Sequence, residues 1–234
     1  MKLRVKFSKH GAIKFIGHLD VMRYFQKAIR RAGVDIAYTG GFSPHQIMSF
    51  AAPLGVGLES NGEYMDIEVN SLTSTQDTLE RLNQQMAEGI SVLEVKLLPD
   101  NAGNAMASVA AAKYTIRFRE GYEPDFEYKT LLDEFYQQEE IIVTKKTKKS
   151  ESTFDMKPFI YDCHAEDDGS ISLTVDASSS GNIKPSLVIQ AFYEKYGKTL
   201  NEIALMVTRE ETYTNIGDET QRNLVPLGAV GDDF

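Results

Sequence analysis

Cysteine is almost missing from this chain. Cys163 is the only one in 234 residues, so no disulfide can form within the chain. A cysteine-held zinc or iron–sulfur site within it is excluded as well. Histidine is scarce: His10, His18, His45 and His164 lack the spacing of a metal site, and no metal is expected. No apolar run approaches the roughly 18 residues that cross a bilayer, so no membrane partner is expected. The opening stretch MKLRVKFSKHG lacks the apolar centre of a signal peptide, which points to a cytoplasmic location. The basic–Gly–aromatic–Gly–aromatic pattern of an RNA-recognition strand is absent. So are a P-loop, the G-x-G-x-x-G fingerprint, a kinase set and a Ser/His/Asp order. No cofactor is expected.

Charge is present but unevenly spread. The whole chain carries a net charge of −9. Residues 1–50 hold nine Lys/Arg and two Asp/Glu, a net of +7, and the remainder holds sixteen basic and thirty-two acidic residues, a net of −16. One basic end on an acidic body is either a solvated helix face or a surface that meets an anion.

Periodicity locates the elements. KLRVKF (residues 2–7) alternates as a strand with Leu3, Val5 and Phe7 inward. HLDVMRYFQKAIRRAG reads as a helix over 18–32 with Leu19, Met22, Phe25, Ala28, Ile29 and Ala32 inward. Arg23, Lys27, Arg30 and Arg31 occupy its other face. VDIAY (34–38) reads as a second strand, EYMDIEV (63–69) as a third, and ISVLEVKLL (90–98) as a fourth. A helix over 75–88, with Thr75 as its cap, separates the last two. Strand, helix, strand, strand, helix, strand is the ferredoxin-like order. After a small-residue linker at 99–111 the pattern restarts, with helices over 125–138 and 185–196 and a hairpin formed by KPFIYDCHAE and SISLTVDA. The expected fold is α+β: two tandem ferredoxin-like (βαββαβ) domains with antiparallel sheets, at 1–98 and 112–214, and a loose tail at 215–234.

Between the second and third strands lies the glycine-rich stretch YTGGFSPHQIMSFAAPLGVGLES. Gly40, Gly41, Gly55 and Gly57 permit close backbone approach, and Ser43 and Pro44 lie in the same loop. Such a loop either folds across the helix ends or cradles a phosphate. His18 stands where the first helix begins, and the loop is expected to bring His45 near it. Two histidines beside Lys14 and the basic helix would suit acid–base cleavage of RNA; a capping role for His18 is the structural alternative. Lys14, Arg23, Lys27, Arg30 and Arg31 are the candidate RNA contacts, with KKTKK at Lys145–Lys149 a further basic cluster.

The motifs GHLD, RRAG, GGFSPH, PLGVGLES and EYMDIEV resemble those of the radical-SAM-linked proteins, a bacterial group carrying a domain-of-unknown-function label. The resemblance continues less sharply through FDMKPFI to VTREETY. It implies a domain found alone or fused behind a radical SAM module, often encoded near ribonuclease E/G-type genes. One cysteine cannot hold a radical SAM cluster, so a partner would supply that chemistry. The chain is also distantly similar to the RAMP superfamily of CRISPR repeat-processing endoribonucleases. Some of those cleave RNA with a histidine near the first helix, where His18 falls here. The acidic body and the internal position of the glycine-rich loop depart from that pattern. The expected function is an accessory RNA-binding or partner-binding protein beside a radical SAM enzyme. The alternative is a metal-independent endoribonuclease using His18.

Overall fold

The computed structural model describes residues 1–146, 151–218 and 221–234. The chain forms two compact units, one of residues 1–110 with 209–234 and the other of residues 111–208. Strand β1 (Lys2–Lys9) buries Leu3, Val5 and Phe7 completely on one face, and Arg4 on the other. A 3₁₀ turn (Gly11–Phe15) leads into α1 (His18–Arg31). Gly17, not His18, is the N-cap. Asp20 in the first turn and Arg30 and Arg31 in the last complement the helix dipole. Gly33, at φ +64°, ends the run in the left-handed region.

The inward face of α1 is Val21, Phe25, Ala28, Ile29 and Ala32. The expected face is corrected at its start: Leu19 is 59% exposed, and Met22 is only partly buried against the core. Spacings of three and four fit both sets, and Val21 is the residue that continues the Phe25–Ala28–Ala32 stripe. Leu19 instead begins the solvent stripe that carries Arg23, Lys27 and Arg30, all three exposed as expected.

A second correction concerns β2. It is Met48–Phe50, inside the glycine-rich stretch, and it pairs antiparallel with β3 (Glu59–Glu68). The expected strand at 34–38 is reduced to isolated bridges, Ile36 to Val69 and Tyr38 to Gln46. Phe50 decides the matter by packing at 6.0 Å on Phe7 and 6.2 Å on Phe25. Helix α2 (Thr75–Asn83) is capped by Ser74, whose Oγ accepts from the Asp77 amide at 3.0 Å. Strand β4 (Ile90–Leu97) and the short α3 (Ala105–Ser108) follow.

The second unit holds β5 (Ala111–Phe118), α4 (Tyr128–Tyr136), the separate ribbon β6 (Ile142–Lys146) with β7 (Glu151–Asp155), then β8 (Ile160–Ala165), β9 (Ile171–Asp176) and α5 (Pro185–Lys195). Strand β10 (Leu205–Asn215) begins here, and its residues from Arg209 onward belong to the first unit, as does β11 (Leu224–Pro226). Its sheet runs β5-β9-β8, with antiparallel pairing throughout. Leu132, Phe135, Val188, Ile189 and Phe192 of the two helices are buried, as are Ile116 and Leu173 of the sheet. Cys163 is buried on β8, and that burial pushes its thiol up to about 12. Part of KKTKK lies outside the described residues.

The first unit's sheet runs β4-β1-β3-β10, with β2 also beside β3 and β11 beside β10. Its face opposite α1 and α2 is not open. Arg4 lies on it in a buried bidentate pair with Asp66, at 2.8 and 3.0 Å, and its Nη1 donates to the Leu227 carbonyl at 3.1 Å. Tyr64 is 2% exposed and donates to Glu211 at 2.8 Å. The segment expected as a loose tail therefore covers this face. It is ordered as β11 and a 3₁₀ turn (Leu227–Val230), with Leu227 fully buried. Burial of Leu227 and the carbonyl it offers to Arg4 are what hold it. Across the described residues no helix is long and apolar enough to cross a membrane.

Candidate nucleic-acid interface

Three groups of polar residues surround α1. The first lies at its N-terminal end, where β1 runs into the 3₁₀ turn. Glu59 accepts from Lys14 Nζ at 2.9 Å and from the Gly11 amide at 3.3 Å. His10 bridges Glu59 at 3.3 Å and Asn61 at 2.9 Å, and Asn61 donates to Glu210 at 2.7 Å. Lys14 is therefore committed to a carboxylate rather than offered to a phosphate. Its ammonium holds the Glu59 carboxyl below the usual range, aided by His10 and opposed by partial burial.

Beneath this network Arg209 pairs with Glu63 at 3.0 Å and donates to the Ala52 carbonyl. Lys9 lies near both and is 3% exposed. Burial pushes its amine below the ordinary lysine range; Glu63 opposes that shift and Arg209 adds to it. Sequence reading missed Lys9, His10, Glu59, Asn61, Glu63 and Arg209. Arg209 is 146 positions from Glu63, and no local pattern reports that pairing.

A depressed Glu59 has a sign that can be tested. Its contribution to stability is complete above the unfolded carboxylate pKa of about 4.3 and is lost as pH falls through the lower folded value. Glu59→Gln should therefore lose less stability than wild type between pH 7 and pH 3, by at most about 1 kcal/mol for a partly solvated surface pair. Urea midpoints at the two pH values check this; equal losses in both proteins would contradict it.

The glycine-rich stretch is two lobes, not one loop. Residues 37–47 form a ribbon in which Thr39 N donates to His45 O, and Ile47 N to Ala37 O, each at 2.9 Å. Gly40, Gly41, Phe42, Ser43 and Pro44 make its exposed tip, with Gly41 at φ +96°. His45 is exposed beside Thr39, its Nδ1 3.1 Å from Thr39 Oγ1. Beyond β2, the second lobe carries Gly55 and Gly57, and the Gly57 amide donates to the Lys14 carbonyl at 2.8 Å. Only His45 belongs to a lobe; His18 is the first residue of α1. His18 packs its ring edge-on to Phe50 at 5.0 Å. Gln46, next to His45, donates to the Gln26 carbonyl at 3.1 Å. Gln26 is eight residues along α1 from His18, about 12 Å at helical rise.

The third group is the solvent stripe of α1. Arg23 meets Asp20 at 3.3 Å and Arg31 reaches the Gln85 carbonyl at 3.4 Å, both exposed. Among the described residues no ion pair engages Lys27 or Arg30. No group of three or more His, Cys, Asp or Glu side chains among those residues could hold a metal ion.

Fold and site together define an α+β protein of ferredoxin-like build with a one-sided basic helix. The chain belongs to the family described as "Uncharacterized protein conserved in bacteria (DUF2344)", which matches residues 2–185. No curated protein matches it. A chain of the "Crystal Structure of a Cbf5-Nop10-Gar1 Complex" is similar at 11% identity and a TM-score of 0.47, over 90% of this chain and 48% of that one. The present chain thus spans about half the length of that one.

Proposed function

We propose that this protein is a non-catalytic RNA-binding accessory that engages RNA through the solvent stripe of α1. The observation that carries this reading is the stripe itself: Lys27 and Arg30 are exposed without ion pairs among the described residues, flanked by exposed Arg23 and Arg31. A helix whose other face is buried holds these cations at fixed spacing, which suits a row of phosphates. The partner implied by the family resemblance is a radical SAM enzyme, for which the accessory would present an RNA substrate for modification or processing.

The endoribonuclease reading is less well supported. Acid–base cleavage needs two groups within direct or one-water reach of one phosphate. His18 packs edge-on against Phe50, and His45 belongs to a lobe that docks about two turns further along α1. Incubation of purified protein with labelled RNA tests it: intact RNA fits the accessory role, and cleavage abolished by His18→Ala would replace it.

The binding test is fluorescence anisotropy with bulk tRNA across a salt series. Log affinity should fall linearly with log salt as counterions are released. Lys27→Ala with Arg30→Ala should flatten that slope by about two, about one per lost phosphate contact. Undetectable binding at low salt would overturn the proposal.

A further inference from the structure

The 37–47 ribbon, which meets α1 through Gln46, carries two exposed aromatic side chains. Phe42 at its tip is fully exposed, and Tyr38 is 48% exposed. A single exposed ring is common on protein surfaces; what matters here is where these two stand relative to the cations of α1. Tyr38 and Gln46 are directly opposed across the ribbon, and opposed residues of an antiparallel pair point to the same side. Gln46 reaches the Gln26 carbonyl, so Tyr38 lies on the α1 side of the ribbon. Gln26 adjoins the stripe: Arg23 lies three residues before it and Arg30 four after it, the spacings that make neighbours on a helix. The ribbon is thus docked along the edge of the row formed by Arg23, Lys27 and Arg30. Gly40 and Gly41 let the tip turn sharply, with Gly41 at φ +96°, and Phe42 follows them fully exposed.

Exposed aromatics next to a row of exposed cations, of which Lys27 and Arg30 have no ion pair among the described residues, are the two components of single-strand recognition. The cations track the backbone, and the rings stack on unpaired bases. A duplex keeps its bases stacked on one another and offers Phe42 nothing. From this juxtaposition we infer that the ligand is single-stranded RNA, with bases stacking on Phe42 and Tyr38 while the strand's phosphates run along α1. The inference rests on the RNA-binding reading above and narrows its substrate.

The test uses a short fluorescein-labelled RNA of mixed sequence, alone and annealed to its complement. Wild type should bind the single strand more tightly than the duplex. Phe42→Ala should weaken single-strand binding about tenfold and leave duplex binding unchanged, while Phe42→Tyr should restore it. Lys27→Ala with Arg30→Ala should weaken both forms. The chain has no tryptophan, so Phe42→Trp adds a sole reporter, whose emission should be quenched by the single strand and not by the duplex. Phe42 is wholly exposed, so these variants should keep the wild-type urea midpoint. Equal single-strand affinity for Phe42→Ala and wild type, or equal loss on both RNA forms, overturns the stacking inference but spares the RNA-binding reading. Absence of binding to either form overturns both.

Discussion

Asp66→Ala should cost about 3–5 kcal/mol of folding stability, a large share of the 5–15 kcal/mol of a typical domain. Arg4 is 1% exposed, and two of its nitrogens are satisfied by the two oxygens of Asp66. Removing the carboxylate leaves a guanidinium buried without a counter-charge, and arginine cannot escape by losing its proton. The penalty lies in the orphaned charge rather than in the worth of the pair. Arg4→Met with Asp66→Leu should therefore recover most of the loss. Urea unfolding of the single and double variants reads both effects. A loss below about 1 kcal/mol for Asp66→Ala would show that water or another group reaches Arg4.

Gly62→Ala should cost about 1–3 kcal/mol through overpacking between β3 and β10. A Cβ built there stands 2.7 Å from the Glu211 Cα and 2.9 Å from the Glu210 carbonyl oxygen. Both are backbone atoms of β10 and have no rotamer with which to retreat. Thr212 Oγ1, which donates to the Gly62 carbonyl at 2.7 Å, would be displaced too. The strand that must shift also carries Arg209, so its contact with Glu63 should loosen. Faster hydrogen exchange at β10 amides, with little change in α2, is the expected signature. A variant with wild-type stability and exchange would mean that the two strands separate without cost.

Much of this architecture could be read from apolar period alone. β1, β4, α1, the two helices of the second unit and the β8–β9 hairpin arose from local spacing, as did the exposure of Arg23, Lys27 and Arg30. Three features escaped for physical reasons. Gly40, Gly41 and Pro44 marked residues 38–60 as loop, although Phe50 had the aromatic bulk to form a strand against Phe7. Leu19 and Val21 compete for the same helical spacing, and only the packing partner decides between them. The alternation of KLRVKF told which residues share a face but not what covers that face. Arg4 looked solvated because nothing nearby announces that Asp66, Gly103 and Leu227 converge on it. Charged clusters such as Lys9–Glu63–Arg209 hide for the same reason: lysine and arginine on strands usually mark the wet side.

The first unit is discontinuous along the chain, with residues 111–208 inserted between its two parts. On the ribosome, β1, α1 and β3 emerge long before β10, which flanks β3 on its other edge, or the Leu227 carbonyl that Arg4 reaches. During that interval Arg4 and Asp66 have each other but no roof, and Glu63 waits without Arg209. The inserted unit, whose contacts are contiguous in sequence, is free to fold first, because domains generally fold as units during synthesis. Closure of the earlier-made unit then comes last. Synonymous changes that slow translation after residue 208 would lengthen the interval in which its sheet is unfinished, and would expose the nascent chain to proteases there rather than in the inserted unit.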